Sequence, residues 1–101
     1  MNDTNAHEPV RHNAAKSRYE LTPPNAGEPS VLEYVLEPQT NRMIFTHTFV
    51  PPEMRGKGVA EKLVRAALAD ARAQGRRVEP QCSYVAKFIE LHHAEFGDLL
   101  A

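Results

Sequence analysis

Residues 42–75 read RMIFTHTFVPPEMRGKGVAEKLVRAALADARAQG, and the period of the apolar residues changes once within them. Up to Val50, β-branched and aromatic residues are interleaved with polar ones, as in a strand. Alternation puts Ile44, Thr46, Thr48 and Val50 on one face and Met43, Phe45, His47 and Phe49 on the other, and bulky groups on both imply a strand covered on both sides. Further on, Val59, Ala60, Leu63, Val64, Ala67, Leu68 and Ala71 recur in pairs every four residues, the stripe of a helix over about 58–74. Gly75 can take the left-handed conformation that ends it. Glu61 and Arg65 stand four apart on its solvent side, a weakly stabilising ion pair. RRVE at 76–79 reads as a second strand. The whole is a strand–helix–strand unit, with parallel strands and a right-handed crossover.

Working outward, VLEYVL at 31–36 is a strand that pairs antiparallel with 42–50 through the turn EPQTN at 37–41. RYEL at 18–21 makes a short first strand, and the Pro-rich TPPNAGEPS at 22–30 is a loop. Pro80 ends the last strand and Ser83 caps a second helix with a core stripe of Val85, Phe88, Ile89 and His92. AEFGDLLA at 94–101 closes as a helical turn or loop that packs Phe96 and Leu99. The predicted class is α+β: an antiparallel meander leading into a right-handed βαβ unit, a mixed sheet with helices packed on it. Residues 1–17 show no periodicity and read as a disordered tail, leaving 18–101 as the single domain.

A chain of 101 residues holds one modest domain, which excludes a two-domain enzyme with an internal cleft and makes any active site shallow or shared. Lys and Arg total 12 against 13 for Asp and Glu, a balance of −1 that argues against nucleic acid as a partner. The lone Cys82 cannot form an intrachain disulfide or a Cys-cluster metal site, which fits a reducing cytoplasm. His92 and His93 are adjacent and point apart, a poor metal pair, so no metal is expected. Apolar runs are too short for a membrane span or a signal-peptide core.

The loop VPPEMRGKGVA at 50–60 joins strand to helix and carries the chemistry. The first N–H groups of a helix lack internal partners and lie at the positive end of its dipole, so an anion completes both. Gly56 and Gly58 let the backbone approach phosphate oxygens without a Cβ in the way, and Arg55 and Lys57 add positive charge. The Walker and dinucleotide glycine patterns are absent. From the residues alone, a phosphate cradle and a tight turn with solvated charges both remain open.

Arg55-Gly56-Lys57-Gly58-Val59-Ala60 resembles the (Gln/Arg)-x-x-Gly-x-(Gly/Ala) signature of the GNAT superfamily of acetyl-CoA-dependent N-acetyltransferases. The series His47-Thr48-Phe49-Val50-Pro51, Leu63-Val64-Arg65-Ala66-Ala67-Leu68, Val78-x-Pro80-x-Cys82-Ser83-Tyr84-Val85, Phe88-Ile89 and Asp98-Leu99-Leu100 resembles its small YjdJ-type branch, over about residues 31–100. The resemblance implies that backbone amides of Arg55, Gly56, Lys57, Gly58, Val59 and Ala60 hold the pyrophosphate of coenzyme A. Phe49 and Val50 would bind its pantetheine arm as an added strand. It also implies transfer of acetyl from acetyl-CoA to an amine. A larger GNAT domain walls its acceptor site with helices after the first strand; here a nine-residue loop follows Leu21, so the acceptor side is open and suits a protein or another exposed amine. The alternative is a non-catalytic coenzyme A-binding or adaptor module.

In the YjdJ-type branch the cysteine matching Cys82 is a proposed catalytic residue, and the resemblance carries that role here as nucleophile or base. The amides of a helix N-terminus favour the thiolate form of a cysteine, while a buried, inert thiol is the other reading. Tyr84 is a candidate proton donor to the leaving thiolate or a packing residue. His47 is a weaker candidate base, since a histidine on an apolar strand face is more often structural. Arg72, Arg76 and Arg77 form a basic cluster facing the 3′-phosphate of coenzyme A, an acidic partner or water.

Overall fold

The computed structural model describes residues 10–24 and 27–101. Five strands pair in chain order: β1 (Arg11–Asn13), β2 (Arg18–Leu21), β3 (Ser30–Glu37), β4 (Arg42–Phe49) and β5 (Arg77–Pro80). The first four are antiparallel and β4 runs parallel to β5, with helix α1 (Val59–Ala73) between them in the chain. After β5 come α2 (Ser83–Leu91), the short α3 (His93–Phe96) and a closing 3-10 turn (Gly97–Leu99). This is the mixed-sheet α+β fold that the change of period implies. Leu100 adds a parallel bridge to Val78, and the Ala101 amide donates to the Val78 carbonyl at 3.0 Å, covering part of the outer edge of β5.

Helix α1 keeps its predicted stripe: Val59, Leu63, Val64, Ala67, Leu68 and Ala71 are buried, while Ala60 stays partly exposed. Gly75, at φ +66°, terminates it; the amides of Gly75 and Arg76 return to the carbonyls of Arg72 and Ala71 at 3.1 and 2.8 Å. Paired bonds of this kind satisfy carbonyls that the last turn leaves without partners. The α1 stripe, Val85, Phe88 and Ile89 of α2, Phe96, Leu99 and one face of the sheet form a single cluster around Leu32, Met43, Phe45 and Val78.

Four sequence expectations need correction. First, β4 is covered on one face only, because the helices share a core: Met43 and Phe45 are buried while Ile44 is half-buried and Thr46 exposed. On the uncovered face Val35 of β3 is 52% exposed. Second, the alternation along β4 breaks. Glu33 opposes His47 and Tyr34 opposes Phe45, so Thr46 is an extra residue, a bulge, and its hydroxyl donates to the Glu33 carbonyl at 3.3 Å. One inserted residue reverses the sides of all that follow. Thr48 therefore joins the face of Met43 and Phe45, and His47 and Phe49 turn to the uncovered face. Third, Ser83 does not cap α2. The amides of Gln81 and Cys82 both donate to the Phe45 carbonyl, holding Cys82 extended in the capping position with no side-chain cap.

Fourth, the disordered tail predicted for 1–17 is ordered over its last part; residues 1–9 lie outside the described residues. Arg11, His12 and Asn13 pair with Glu20, Tyr19 and Arg18. The His12 ring stacks on Tyr19 at 4.4 Å and 7°, and its Nε2 is hydrogen-bonded to the Tyr34 hydroxyl at 2.5 Å. Tyr19 is 1% exposed and donates to Asp70 of α1 at 2.9 Å. Burial and then the Asp70 carboxylate push its phenol far above the ordinary tyrosine range. A residue that covers two tyrosine rings gains more than a short polar segment suggests on its own. His12→Ala should cost about 1–2 kcal/mol of unfolding free energy by denaturant titration. An unstructured residue 12 would leave the midpoint where it is.

Candidate functional site

The parallel ladder ends at Phe45 opposite Pro80, whereas β4 continues to Phe49. From Thr46 on, the β5-facing edge of β4 is uncovered, because the chain after Pro80 turns into α2 instead of extending the sheet. Ligands in α/β units collect at such forks beyond the carboxyl ends of parallel strands. The β4 strand leads into Pro51 and a single 3-10 turn, Pro52–Met54, whose amides at Met54 and Arg55 return to Pro51 and Pro52.

The loop then makes two left-handed steps, Gly56 at φ +77° and Gly58 at φ +74°, with ordinary Arg55 before them. Gly58 is the residue that opens α1, and the first backbone bond into the helix is Lys62 N–H to Gly58 O at 3.2 Å. Arg55 and Gly56 form a turn, and beyond it no backbone carbonyl of the described residues receives the amides of Gly58 through Glu61, which stand at the positive end of a 15-residue helix dipole. Only glycine takes this pair of conformations without strain. Arg55 folds back to donate its Nε to the Val50 carbonyl at 2.8 Å, tying the loop to the end of β4 and leaving the rest of its guanidinium uncommitted among the described residues.

These groups line a cleft of about 260 Å³. Of the loop residues singled out from the sequence, Val50, Arg55, Gly56, Gly58, Val59 and Ala60 line it; Lys57 is exposed and does not. Tyr84, from the first turn of α2, forms the facing wall. The residue is 41% exposed, and its hydroxyl makes no hydrogen bond to the described residues. Burial, and after it the charge of Glu61, pushes the Tyr84 phenol above the ordinary 10.0, so it holds its proton at neutral pH.

Cys82 is half-buried, packs against the core and meets the Thr48 hydroxyl at 3.1 Å. It is not among the residues lining the cleft. His47 is exposed on the far side of the sheet, opposite Glu33, because the bulge turned it away. Phe49 is half-buried on that same far face; its backbone belongs to the open edge, but its side chain does not enter the cleft. Two members of the basic cluster, Arg72 and Arg77, are committed elsewhere. Arg72 makes a paired ion bridge to Asp98 at 2.7 and 3.1 Å, and Arg77 donates to the Asp98 carbonyl at 2.7 Å. Both fasten the C-terminal segment at the opposite end of α1, about 22 Å from the loop at 1.5 Å per residue.

Two lining residues escaped the sequence reading, Met54 and Glu61. Glu61 was legible as the partner of Arg65, and that pair is present at 2.9 Å. Its place on the cleft wall depends on where α2 brings Tyr84, which spacing along α1 does not encode. Among the described residues, no group of three or more His, Cys, Asp or Glu gathers to hold a metal ion, and no helix is long and apolar enough to cross a membrane.

The fold has a counterpart elsewhere. The NMR solution structure of a GCN5-like protein from Staphylococcus aureus superposes with a TM-score of 0.69, covering 98% of this chain and 91% of that one at 21% identity. Comparison with curated proteins gives no match. Residues 18–99 match the model of the GCN5-related N-acetyl-transferase family, which takes in β2 through the closing turn, the two-glycine loop and Tyr84. The chain belongs to the GCN5-related N-acetyltransferase (GNAT) family.

Proposed function

We propose that this chain binds acetyl-CoA and transfers its acetyl group to an amine on an exposed acceptor, a protein or another large partner. The observation that carries the reading is the meeting of an anion-binding loop, an uncovered strand edge and a protonated phenol at one cleft. The free amides from Gly58 to Glu61 suit the pyrophosphate, with Arg55 beside them. The β4 edge beyond Phe45 suits the amide-bearing pantetheine arm, which can pair with it as a strand does. That arm would direct the thioester toward the fork between β4 and α2.

Transfer then needs little covalent participation by the protein. The acceptor nitrogen attacks the thioester carbonyl carbon, an oxyanion forms, and backbone N–H groups at the fork stabilise it. As the carbon–sulfur bond breaks, the Tyr84 hydroxyl gives its proton to the departing thiolate, the ammonium proton passes to water, and the Tyr84 phenolate takes a proton back from solvent. A covalent route through Cys82 has less support, because the thiol packs toward Thr48 and the core instead of lining the cleft. An open acceptor side is supported by the β2–β3 connection, which has no helix in residues 22–24 and 27–29. The closer kinship with the YjdJ-type branch and a cytoplasmic setting belong to the same reading. A coenzyme A-binding adaptor is the second reading, favoured by the shallow cleft, and turnover with an amine separates the two.

Thermal unfolding with acetyl-CoA, coenzyme A, ATP and NAD at matched concentrations is the direct test. At a hundred times the dissociation constant a ligand adds about 2.7 kcal/mol, a shift of several degrees for a domain of this size. The shift should be confined to the two coenzyme A species; none with either would remove the proposal. Gly58→Ala, forced to hold φ +74° with a Cβ that meets nothing within 4 Å, should lose about 1–2 kcal/mol of stability and most of that ligand shift. Tyr84→Phe should lower kcat about 10²–10⁴-fold while keeping the shift. In the parent enzyme, rates should hold until the pH rises past 10, since the acid form is lost only above its raised pKa. Mass spectrometry of active protein after acetyl-CoA should find Cys82 unmodified; an acetylated Cys82 that turns over would replace direct transfer by the covalent route.

A further inference from the structure

The charged residues lining the cleft are Arg55 and Glu61, and the second is a poor neighbour for a phosphorylated ligand. In the first turn of α1, a carboxylate is favoured by the helix dipole and by the same free amides that suit a phosphate. Left to itself, Glu61 would compete for those amides and repel the ligand. Arg65 stands one turn further on, paired with that carboxylate.

Its Nε donates to Glu61 Oε2 at 2.9 Å, and one terminal nitrogen contacts both oxygens of Glu95 at 3.3 and 3.2 Å. The guanidinium also lies over the rings of Phe88 and Phe96, 5.2 and 5.6 Å from their centroids. Contacts from α1, α2 and α3 thus fix the Arg65 fork in one orientation, which an isolated surface pair would not achieve. We propose that Arg65 is a positioning residue for ligand binding: it draws the Glu61 carboxylate along the helix, away from the free amides, and cancels its charge. This rests on the cleft receiving the phosphates of coenzyme A. Arg65 acts through Glu61 because its Nε and one terminal nitrogen are already committed to carboxylates.

A double-mutant cycle on coenzyme A affinity, measured by calorimetry at low salt, tests it, with inorganic pyrophosphate as a second probe. Arg65→Gln should weaken binding about tenfold, the scale of one unscreened like charge several ångströms away. Glu61→Gln should bind at least as tightly as the parent, and adding Arg65→Gln to it should change nothing more. A loss that persists in the Glu61→Gln background would mean that Arg65 acts directly or through the fold, and no loss from Arg65→Gln would mean that it does not act; either overturns the proposal. Unfolding midpoints without ligand check each variant. Arg65→Met, which keeps an apolar stem over Phe88 and Phe96, replaces Arg65→Gln if that variant unfolds. A parent that binds pyrophosphate but not coenzyme A sinks the acetyl-CoA reading alone, and the cycle is then read with pyrophosphate. A parent that binds neither sinks both.

Discussion

The carbonyl oxygen of Phe45 receives the amides of Gln81 at 3.0 Å and Cys82 at 2.9 Å, and the geometry of the site follows from that double acceptance. It ends the parallel ladder at Pro80, turns the chain away from the sheet and starts α2 with Cys82 as its first flanking residue. Because β5 stops there, β4 runs on alone into the glycine loop. Because α2 starts there, Tyr84 is carried to the far wall of the cleft. Phe45 itself is fully buried, so this branch point is anchored in the centre of the core.

A second constraint acts one residue further along the same strand. The extra residue Thr46 re-aims the end of β4, so that Thr48 faces Cys82 and His47 leaves the site. A bulge costs part of a ladder, and sheets tolerate one where the strand must bend toward something else. Here it lies immediately beyond the last β4–β5 pair. The strand thus loses its neighbour and changes its facing within a few residues, which gives the site a polar interior contact and an uncovered backbone edge at once.

The electrostatics of the cleft are a balance of small opposing parts. The dipole of α1, its free amides and Arg55 favour an anion; Glu61 opposes one, and Arg65 offsets Glu61. These groups are near the surface, so none is worth much alone. Their arrangement is nevertheless held by apolar packing, since Phe88 and Phe96 lie beneath the Arg65 guanidinium. The covered sheet face and the three helices supply that rigidity through one continuous core, while the opposite face of the sheet carries exposed Val35 and His47.

Local periodicity determined what local interactions control. The α1 stripe, its glycine stop and strands β2 to β5 follow from spacing that a helix or strand must satisfy whatever surrounds it, and the two-glycine loop follows from its place between them. The tertiary structure decided the rest. The bulge at Thr46 has no signature in RMIFTHTFV, because an extra residue is defined only by the strand opposite. The order of residues 11–13 comes from His12 meeting Tyr19 and Tyr34, partners that become neighbours only when β1 pairs with β2. Arg72 and Arg77 read as free cations until Asp98 reached them from the other end of the chain. Glu61 read as half of a surface pair until α2 set Tyr84 across from it. Sequence fixes contacts within a few residues; those between distant segments wait for the core that brings them together.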